Sequence, residues 1–197
     1  LYDNFKNNKE LKKDVELLLS QVDRCNVILK KLSLNPVVED DFIDKDITLE
    51  NYVKEIVNSF EEISDKNFII NTEQNYNSFE ISKLIEVVYG IRNFIGNANK
   101  FAKKNIYISI TSDSENSSIS VEDDGSGFPK DILTKIGDPY IKSLQSKNKS
   151  RAGLGLGIFI GKTLLEKNKA KLLIRNSETR GGAEIKIEWS NKDLISL

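Results

Sequence analysis

The sequence lacks histidine altogether and contains a single cysteine among its 197 residues. Without histidine, no residue of this chain can serve as an imidazole acid, base or phosphate acceptor, so any such chemistry must come from another segment. A single cysteine excludes an intramolecular disulfide framework. We therefore expect the fold to be stabilised by its hydrophobic core.

An excess of charge of one sign is also missing. The 29 basic side chains are matched by 30 acidic ones, which argues against the basic surface of a nucleic-acid-binding protein. No apolar run approaches the roughly 18 residues that cross a bilayer, so we expect this portion to be cytoplasmic and outside the membrane. The first residue is Leu1 rather than methionine, which suggests a fragment of a longer protein.

The first segment carries a heptad pattern. Its apolar residues are spaced by four and three positions, namely Leu11, Val15, Leu18, Val22, Cys25, Leu29 and Leu32. This spacing predicts a helix over residues 1–34 that packs against another helix. Pro36 and the acidic residues after it indicate a linker over 35–45, followed by one folded domain over 46–197.

Helical and strand patterns alternate through that domain. The predicted elements are helices over 49–60, about 79–104 and 157–169, and strands over 67–72, 106–111, 118–123, 171–177 and 183–189. In the last strand Ile185, Ile187 and Trp189 alternate with charged residues, which is typical of a sheet with one wet face. The pattern predicts a two-layer α/β sandwich with helices on one face of a mixed sheet.

The second predicted helix has a polar stripe. Asn93, Asn97 and Lys100 are spaced by four and three residues, so they lie together, roughly opposite the apolar stripe. Asparagine oxygen can ligate Mg²⁺, and lysine supplies a charge for phosphate. An ordinary solvated helix face remains the alternative.

The segment VEDDGSGFP at 121–129 is the second candidate. Asp123 has the same strand parity as Val121 and is expected to face the apolar side, where its carboxylate could accept a hydrogen bond from the amine of adenine. Gly125 and Gly127 would leave room for a flat ring. The alternative is a plain turn at the end of a strand.

The segment AGLGLGIFIGKTLLEK at 152–167 is the third candidate. Gly153, Gly155 and Gly157 precede a helix, and exposed backbone amides at a helix start can bind phosphate oxygens. The basic residues of 140–151 upstream predict a lid over phosphates, or else an ordinary surface loop.

Together these three segments resemble the N, G1 and G2 boxes of the GHKL ATP-binding fold, in the form found in bacterial sensor histidine kinases. The resemblance covers roughly 46–190. It implies that Asn97 ligates Mg²⁺, that Asn93 and Lys100 lie near the phosphates of ATP, and that Asp123 recognises adenine. The other implied ATP-binding residues are Phe101, Gly125, Gly127, Tyr140, Arg151, Gly153, Leu154, Gly155, Leu156 and Gly157.

Three residues depart from the family pattern. Arg151 stands where many kinases have the first glycine of the GxGLGL motif, and Tyr140 stands where phenylalanine is frequent. Ala183 follows two glycines where the wider superfamily often has threonine. None of these changes removes a ligand that the resemblance makes essential.

The segments RCNVILKKLS, DPYIKSL and GLGLGIFIGKTLLEK further resemble the redox-responsive RegB/PrrB group. This likeness implies a homodimer through the N-terminal helix, a response regulator as partner and a membrane-anchored parent protein. It also implies an acceptor histidine on a preceding helix that this chain lacks. Cys25 matches a proposed redox-sensing cysteine, although most such cysteines are simply small apolar residues.

The resemblance implies transfer of the γ-phosphoryl group of Mg-ATP to a histidine outside this chain. One alternative is a GHKL-type ATPase, in which a glutamate would stand at the position of Asn93 and activate water. Another is an inert nucleotide-binding or dimerisation module.

Overall fold

A computed structural model of the chain describes residues 47–73, 78–82, 84–133, 135–138 and 156–196. The predicted N-terminal helix with Cys25, the linker, and the predicted site residues Tyr140, Arg151, Gly153, Leu154 and Gly155 lie outside these ranges. Among the described residues, no helix is both long and apolar enough to span a bilayer.

The described elements follow the order that the sequence pattern predicts. The strands are β1 (Ile47–Thr48), β2 (Asn67–Thr72), β3 (Glu80–Ile81), β4 (Asn105–Ser112), β5 (Asn116–Asp123), β6 (Lys171–Asn176) and β7 (Ala183–Ser190). The helices are α1 (Leu49–Glu61), α2 (Ile85–Phe101), α3 (Lys130–Leu133), α4 (Gly157–Lys167) and α5 (Asn191–Ile195).

Five strands form one mixed sheet in the order β2-β4-β5-β7-β6. Strand β2 runs parallel to β4, and the other neighbouring pairs are antiparallel. Helices α1, α2 and α4 contact the sheet through β2, β5 and β6, respectively. The predicted two-layer α/β sandwich is confirmed.

The core lies between the helices and the inward face of the sheet. On β4, Ile106, Ile108 and Ile110 are fully buried, while the residues between them are half-buried on the other face. This alternation is what a strand covered on one side requires. The middle of α2 supplies fully buried apolar residues opposite them, including Ile91 and Ile95.

The long helix is shorter than the predicted 79–104. Residues Glu80–Ile81 instead pair in antiparallel fashion with Ile47–Thr48, and this contact with a distant segment prevents an earlier helix start. At the other end, Ala102 leaves helical geometry with ψ of 146°. Helix α4 likewise ends at Lys167, two residues before the prediction, and Lys169 adopts a φ of 65°.

One residue on the predicted solvent-facing side of β7 is buried, while Lys186 and Glu188 on that side are partly exposed. Glu184 is only 8% exposed. The Glu184 carboxylate accepts a hydrogen bond from Arg175 Nε at 2.6 Å and a longer one from Ser120 Oγ at 3.4 Å. A paired carboxylate can be covered by its neighbours at little cost, which the alternation of residue types does not reveal.

Candidate functional site

Asp123 is the last residue of β5, and its carboxylate is buried under the helical layer. The side chain is 3% exposed and shares the inward face with Val121, as predicted. Its Oδ1 accepts a hydrogen bond from the Gly125 amide at 2.8 Å. Burial raises the pKa of Asp123 above its ordinary value, although amide hydrogen bonds from Gly125 and Ala183 act in the opposite direction.

Two glycines pack directly against this carboxylate. A Cβ on Gly182 would overlap both the main-chain carbonyl and Oδ1 of Asp123. A Cβ on Gly125 would lie 2.5 Å from the Phe101 carbonyl oxygen and 2.6 Å from Asp123 Oδ1. These glycines are in direct contact with other parts of the protein. Because they lack a Cβ, the end of α2, the 124–128 loop and the β6–β7 hairpin can all approach the Asp123 carboxylate.

The next residue, Asp124, ties this region to the end of α2. Its carboxylate accepts hydrogen bonds from the amides of Lys103, Lys104 and Asn105 at 2.7 to 3.0 Å. Burial acts to raise the pKa of Asp124, but the hydrogen bonds from these amides outweigh it, and the pKa is lowered. The ionised carboxylate thus fixes the turn between α2 and β4 beside Asp123.

Phe101 closes α2 next to the same region. Its main-chain carbonyl faces Gly125, while its side chain is 53% exposed. The ammonium group of Lys100 lies 5.2 Å from the centre of the Phe101 ring. An exposed aromatic ring with an adjacent cation is available to pack against a ligand at the mouth of the site.

Asn97 and Asn93 lie one and two turns before Phe101, respectively, and both meet the start of α4. A Cβ on Gly157 would lie 3.7 Å from Asn93 Oδ1 and 3.9 Å from Asn97 Oδ1. Asn93 Nδ2 donates to the Tyr89 carbonyl at 2.8 Å, which leaves Oδ1 directed toward Gly157. Asn93 and Asn97 are half-buried, because α4 packs on this side of α2, whereas Lys100 at the end of the stripe is exposed. The alternative of an ordinary solvated face therefore does not describe the two asparagines.

Glycines set the close contact between α2 and α4. A Cβ on Gly90 would lie 2.5 Å from Leu165 Cγ, and a Cβ on Gly161 would lie 2.7 Å from Phe94 Cε1. The two antiparallel helices are therefore in contact at residues 157, 161 and 165 of α4, which are one turn apart. Their register brings the first residue of α4 to the amide oxygens.

The structure therefore brings the predicted site residues together in two connected groups. Asp123, Gly125 and Phe101 form one group, and Asn93, Asn97 and Gly157 form the other; α2 joins them over a rise of about 12 Å from 93 to 101. Leu156 directly precedes α4. Gly127 packs against Asn176 rather than against Asp123.

Asn176 and Gly182 are site neighbours that the sequence did not reveal. Both approach from the β6–β7 hairpin, far along the chain from Asp123. The pair of glycines at 181–182 indicated a turn, but nothing in the local pattern indicated which carboxylate it would cover. Such contacts depend on the pairing of β5 with β7.

The profile of the family described as histidine kinase-, DNA gyrase B-, and HSP90-like ATPase matches residues 83–193. The sensor histidine kinase RegB of Cereibacter sphaeroides is 30% identical to this chain over 203 residues. That alignment covers 94% of this chain and 44% of RegB, so the chain spans less than half the length of this relative.

Solved structures share the fold. The mycobacterial sensor histidine kinase MprB has a TM-score of 0.60 at 15% identity, covering 75% of this chain and 97% of its own. Full-length ShkA, crystallised in complex with AMPPNP, has a TM-score of 0.62 at 18% identity, covering 92% of this chain and 39% of its own. At these identities the likeness is evidence of a common fold.

Proposed function

Because this chain belongs to the family of histidine kinase-, DNA gyrase B- and HSP90-like ATPases, within the RegB group of sensor histidine kinases, we propose that it is a kinase catalytic domain that binds Mg-ATP. In this proposal it transfers the γ-phosphoryl group to a histidine outside these 197 residues, for relay to a response regulator.

The buried carboxylate of Asp123 is the observation that carries the proposal. A carboxylate in an apolar environment needs donors, and the adenine amine is a donor of the right kind. Asp123 already accepts from the Gly125 amide, and Phe101, whose main-chain carbonyl lies against Gly125, has an exposed aromatic side chain. A base that donates to Asp123 and packs near Phe101 would satisfy both groups.

The amide oxygens of Asn93 and Asn97 support a phosphate and metal site at the start of α4. Oxygen ligands suit Mg²⁺, which usually keeps several waters and binds few protein groups. Among the described residues, no cluster of three or more acidic, histidine or cysteine side chains could hold a metal. In this proposal Asn97 would hold the ion through its amide oxygen together with phosphate oxygens, and the ion would neutralise phosphate charge.

The chain's own contribution to phosphoryl transfer is positioning. Amides at the start of α4 and the cation of Lys100 orient the phosphates, and the incoming imidazole nitrogen displaces ADP at the γ-phosphorus. The sequence contains no histidine, so that nitrogen comes from another chain or segment. A neutral imidazole is itself a nucleophile and needs no strong base from this domain.

The position of Asn93 argues against a water-activating ATPase. An amide does not take up a proton at neutral pH, and Asn93 Nδ2 is engaged by the Tyr89 carbonyl. The finer features carried by the RegB likeness remain parts of the proposal. They are a homodimer, a response-regulator partner and a membrane-anchored parent protein.

A transfer assay tests the proposal. The chain is incubated with Mg²⁺, ATP labelled at the γ-phosphate, and a separate polypeptide segment that carries the acceptor-histidine helix of a sensor histidine kinase. We expect acid-labile label on that segment and none on this chain, with Asp123→Asn as the control that loses the signal. Bound ATP without any transfer would identify an inert module, and steady phosphate release without acceptor would identify an ATPase.

A further inference from the structure

Asn176 makes two hydrogen bonds to the main chain of a single distant residue. The Phe128 amide donates to Asn176 Oδ1 at 2.6 Å, and Asn176 Nδ2 donates to the Phe128 carbonyl at 3.0 Å. Asn176 is the last residue of β6 and is half-buried. Its side chain therefore pairs with residue 128 much as a neighbouring strand would.

These bonds fix the far end of the loop that begins at Asp123. At the near end, the Gly125 amide donates to Asp123 Oδ1 at 2.8 Å. In the middle, Gly127 has a φ of 70°, and a Cβ there would lie 2.7 Å from Asn176 Oδ1 and 3.2 Å from the Gly182 carbonyl. The loop is held at both ends and lies against the β6–β7 hairpin between them.

The pairing needs the chemistry of asparagine. Phe128 presents one donor and one acceptor, and only a side-chain amide of this length matches both. A carboxylate at 176 would accept from the Phe128 amide but would face the Phe128 carbonyl with a second acceptor. A serine would be too short to reach both groups.

We propose that Asn176 is a positioning residue for base selection, holding the 124–128 loop so that the Gly125 amide, by donating to Asp123 Oδ1, orients the carboxylate toward the adenine amine. This inference rests on the proposed function, because it assumes that the base binds at Asp123. Asn176 itself does not touch the base. Substitution of Asn176 should therefore reduce the preference for adenine over other bases, and it should leave phosphate binding at the start of α4 intact.

The test compares ATP with ITP on the whole 197-residue chain. Inosine carries a carbonyl in place of the adenine amine, so its 6-position presents an acceptor where adenine presents a donor to Asp123. We expect the wild-type chain to prefer ATP, and Asn176→Asp to reduce the ratio of the two affinities by roughly tenfold. Most of that loss should fall on ATP, with ITP affinity nearly unchanged.

Asn168→Asp is the matched control. Asn168 is also half-buried, and its Nδ2 donates to a main-chain carbonyl, that of Leu164, at 2.8 Å. Asn168→Asp loses the same kind of hydrogen bond at the C-terminal end of α4 and leaves the Asn176–Phe128 pair in place. The ratio of its ATP and ITP affinities should therefore equal that of the wild type. A general loss of stability would lower both affinities by the same factor and leave the ratio unchanged.

Melting curves establish that each variant is folded at the assay temperature, and Asn176→Ser replaces Asn176→Asp if the latter does not fold. A wild-type preference for ATP that survives in the folded Asn176 variant would overturn the role of Asn176 alone. Equal affinity of the wild-type chain for ATP and ITP would overturn the adenine assignment at Asp123 and this inference with it.

Discussion

Asp123 and Asp124 are adjacent in the chain, and their pKa values move in opposite directions. Burial raises the pKa of Asp123 despite two amide hydrogen bonds. For Asp124, burial is outweighed by amide donors of residues 103–105, and the pKa is lowered. The Asp124 carboxylate thus joins the end of α2 to the start of β4, while the buried Asp123 carboxylate would be stabilised by a further hydrogen-bond donor.

Replacing Asp123 with asparagine should weaken ATP binding by about 1 to 3 kcal/mol, the usual cost of pairing a buried polar group badly. With Oδ1 of the asparagine accepting from the Gly125 amide, its Nδ2 donors would face the adenine amine, which is also a donor. Calorimetric titration of the folded variant measures the effect. An ATP affinity equal to that of the wild type would contradict the adenine assignment.

The same variant should change how the stability of the ligand-free chain depends on pH. Because the folded-state pKa of Asp123 is raised, the native state binds more protons than the unfolded state between the ordinary carboxyl pKa and the raised value. The free energy of unfolding therefore falls as pH rises through that window. Asparagine does not titrate, so the Asp123→Asn chain does not lose this stability as pH rises. The difference between its melting temperature and that of the wild type should therefore increase with pH between the ordinary and the raised pKa.

Melting curves at a series of pH values measure this difference. The two effects of Asp123→Asn are separate readouts, since ATP binding should weaken while the melting temperature relative to wild type should rise with pH. A difference in melting temperature that stays constant from acid to neutral pH would show that the Asp123 carboxyl does not carry the expected linkage.

Asn97→Ala should lower affinity for Mg-ATP by roughly tenfold, since it removes an amide oxygen that would serve the metal and phosphates. Affinity for adenosine, which has no phosphates, should be unchanged. Asn99→Ala is the control, because Asn99 lies on the same helix and accepts from Ser64 Oγ at 2.6 Å. An equal loss in both variants would indicate a general effect on α2.

Much of the fold could be predicted from residue patterns because those patterns report local burial. The alternation in β4 and β5 and the helical spacing in α1 predicted these elements, and the resemblance to sensor histidine kinases is confirmed by the family match. The start of α2 could not be predicted. Residues 80–81 continue a helical apolar spacing, yet they pair with 47–48 across the chain.

Some features of the candidate site could likewise be predicted from local sequence patterns, and others could not. Asp123 followed from strand parity, because its neighbours on β5 alternate in burial. The half-buried setting of Asn93 and Asn97 did not follow, since it depends on where α4 packs. Asn176 carried no local signal, because its partner Phe128 is distant in sequence and its role appears only when β6 and β7 join the sheet.

Two glycines one turn apart on α4 should respond differently to the same added methyl group. In Gly161→Ala the Cβ would lie 2.7 Å from the Phe94 ring and 3.1 Å from the Gly90 carbonyl, so the helices must separate. We expect a loss of about 1 to 3 kcal/mol in the free energy of unfolding. Thermal or denaturant unfolding measures it.

Gly157→Ala should instead preserve or slightly raise stability, by up to about 1 kcal/mol, because its Cβ meets Asn93 Oδ1 and Asn97 Oδ1 only at 3.7 and 3.9 Å. That methyl group would cover the two amide oxygens and should reduce Mg-ATP affinity by roughly tenfold without affecting adenosine. A stable Gly157→Ala chain with full Mg-ATP affinity would mean that the phosphates bind elsewhere. The pair separates the two roles of the α2–α4 contact, since residue 161 sets how closely the helices pack and residue 157 leaves the amide oxygens accessible.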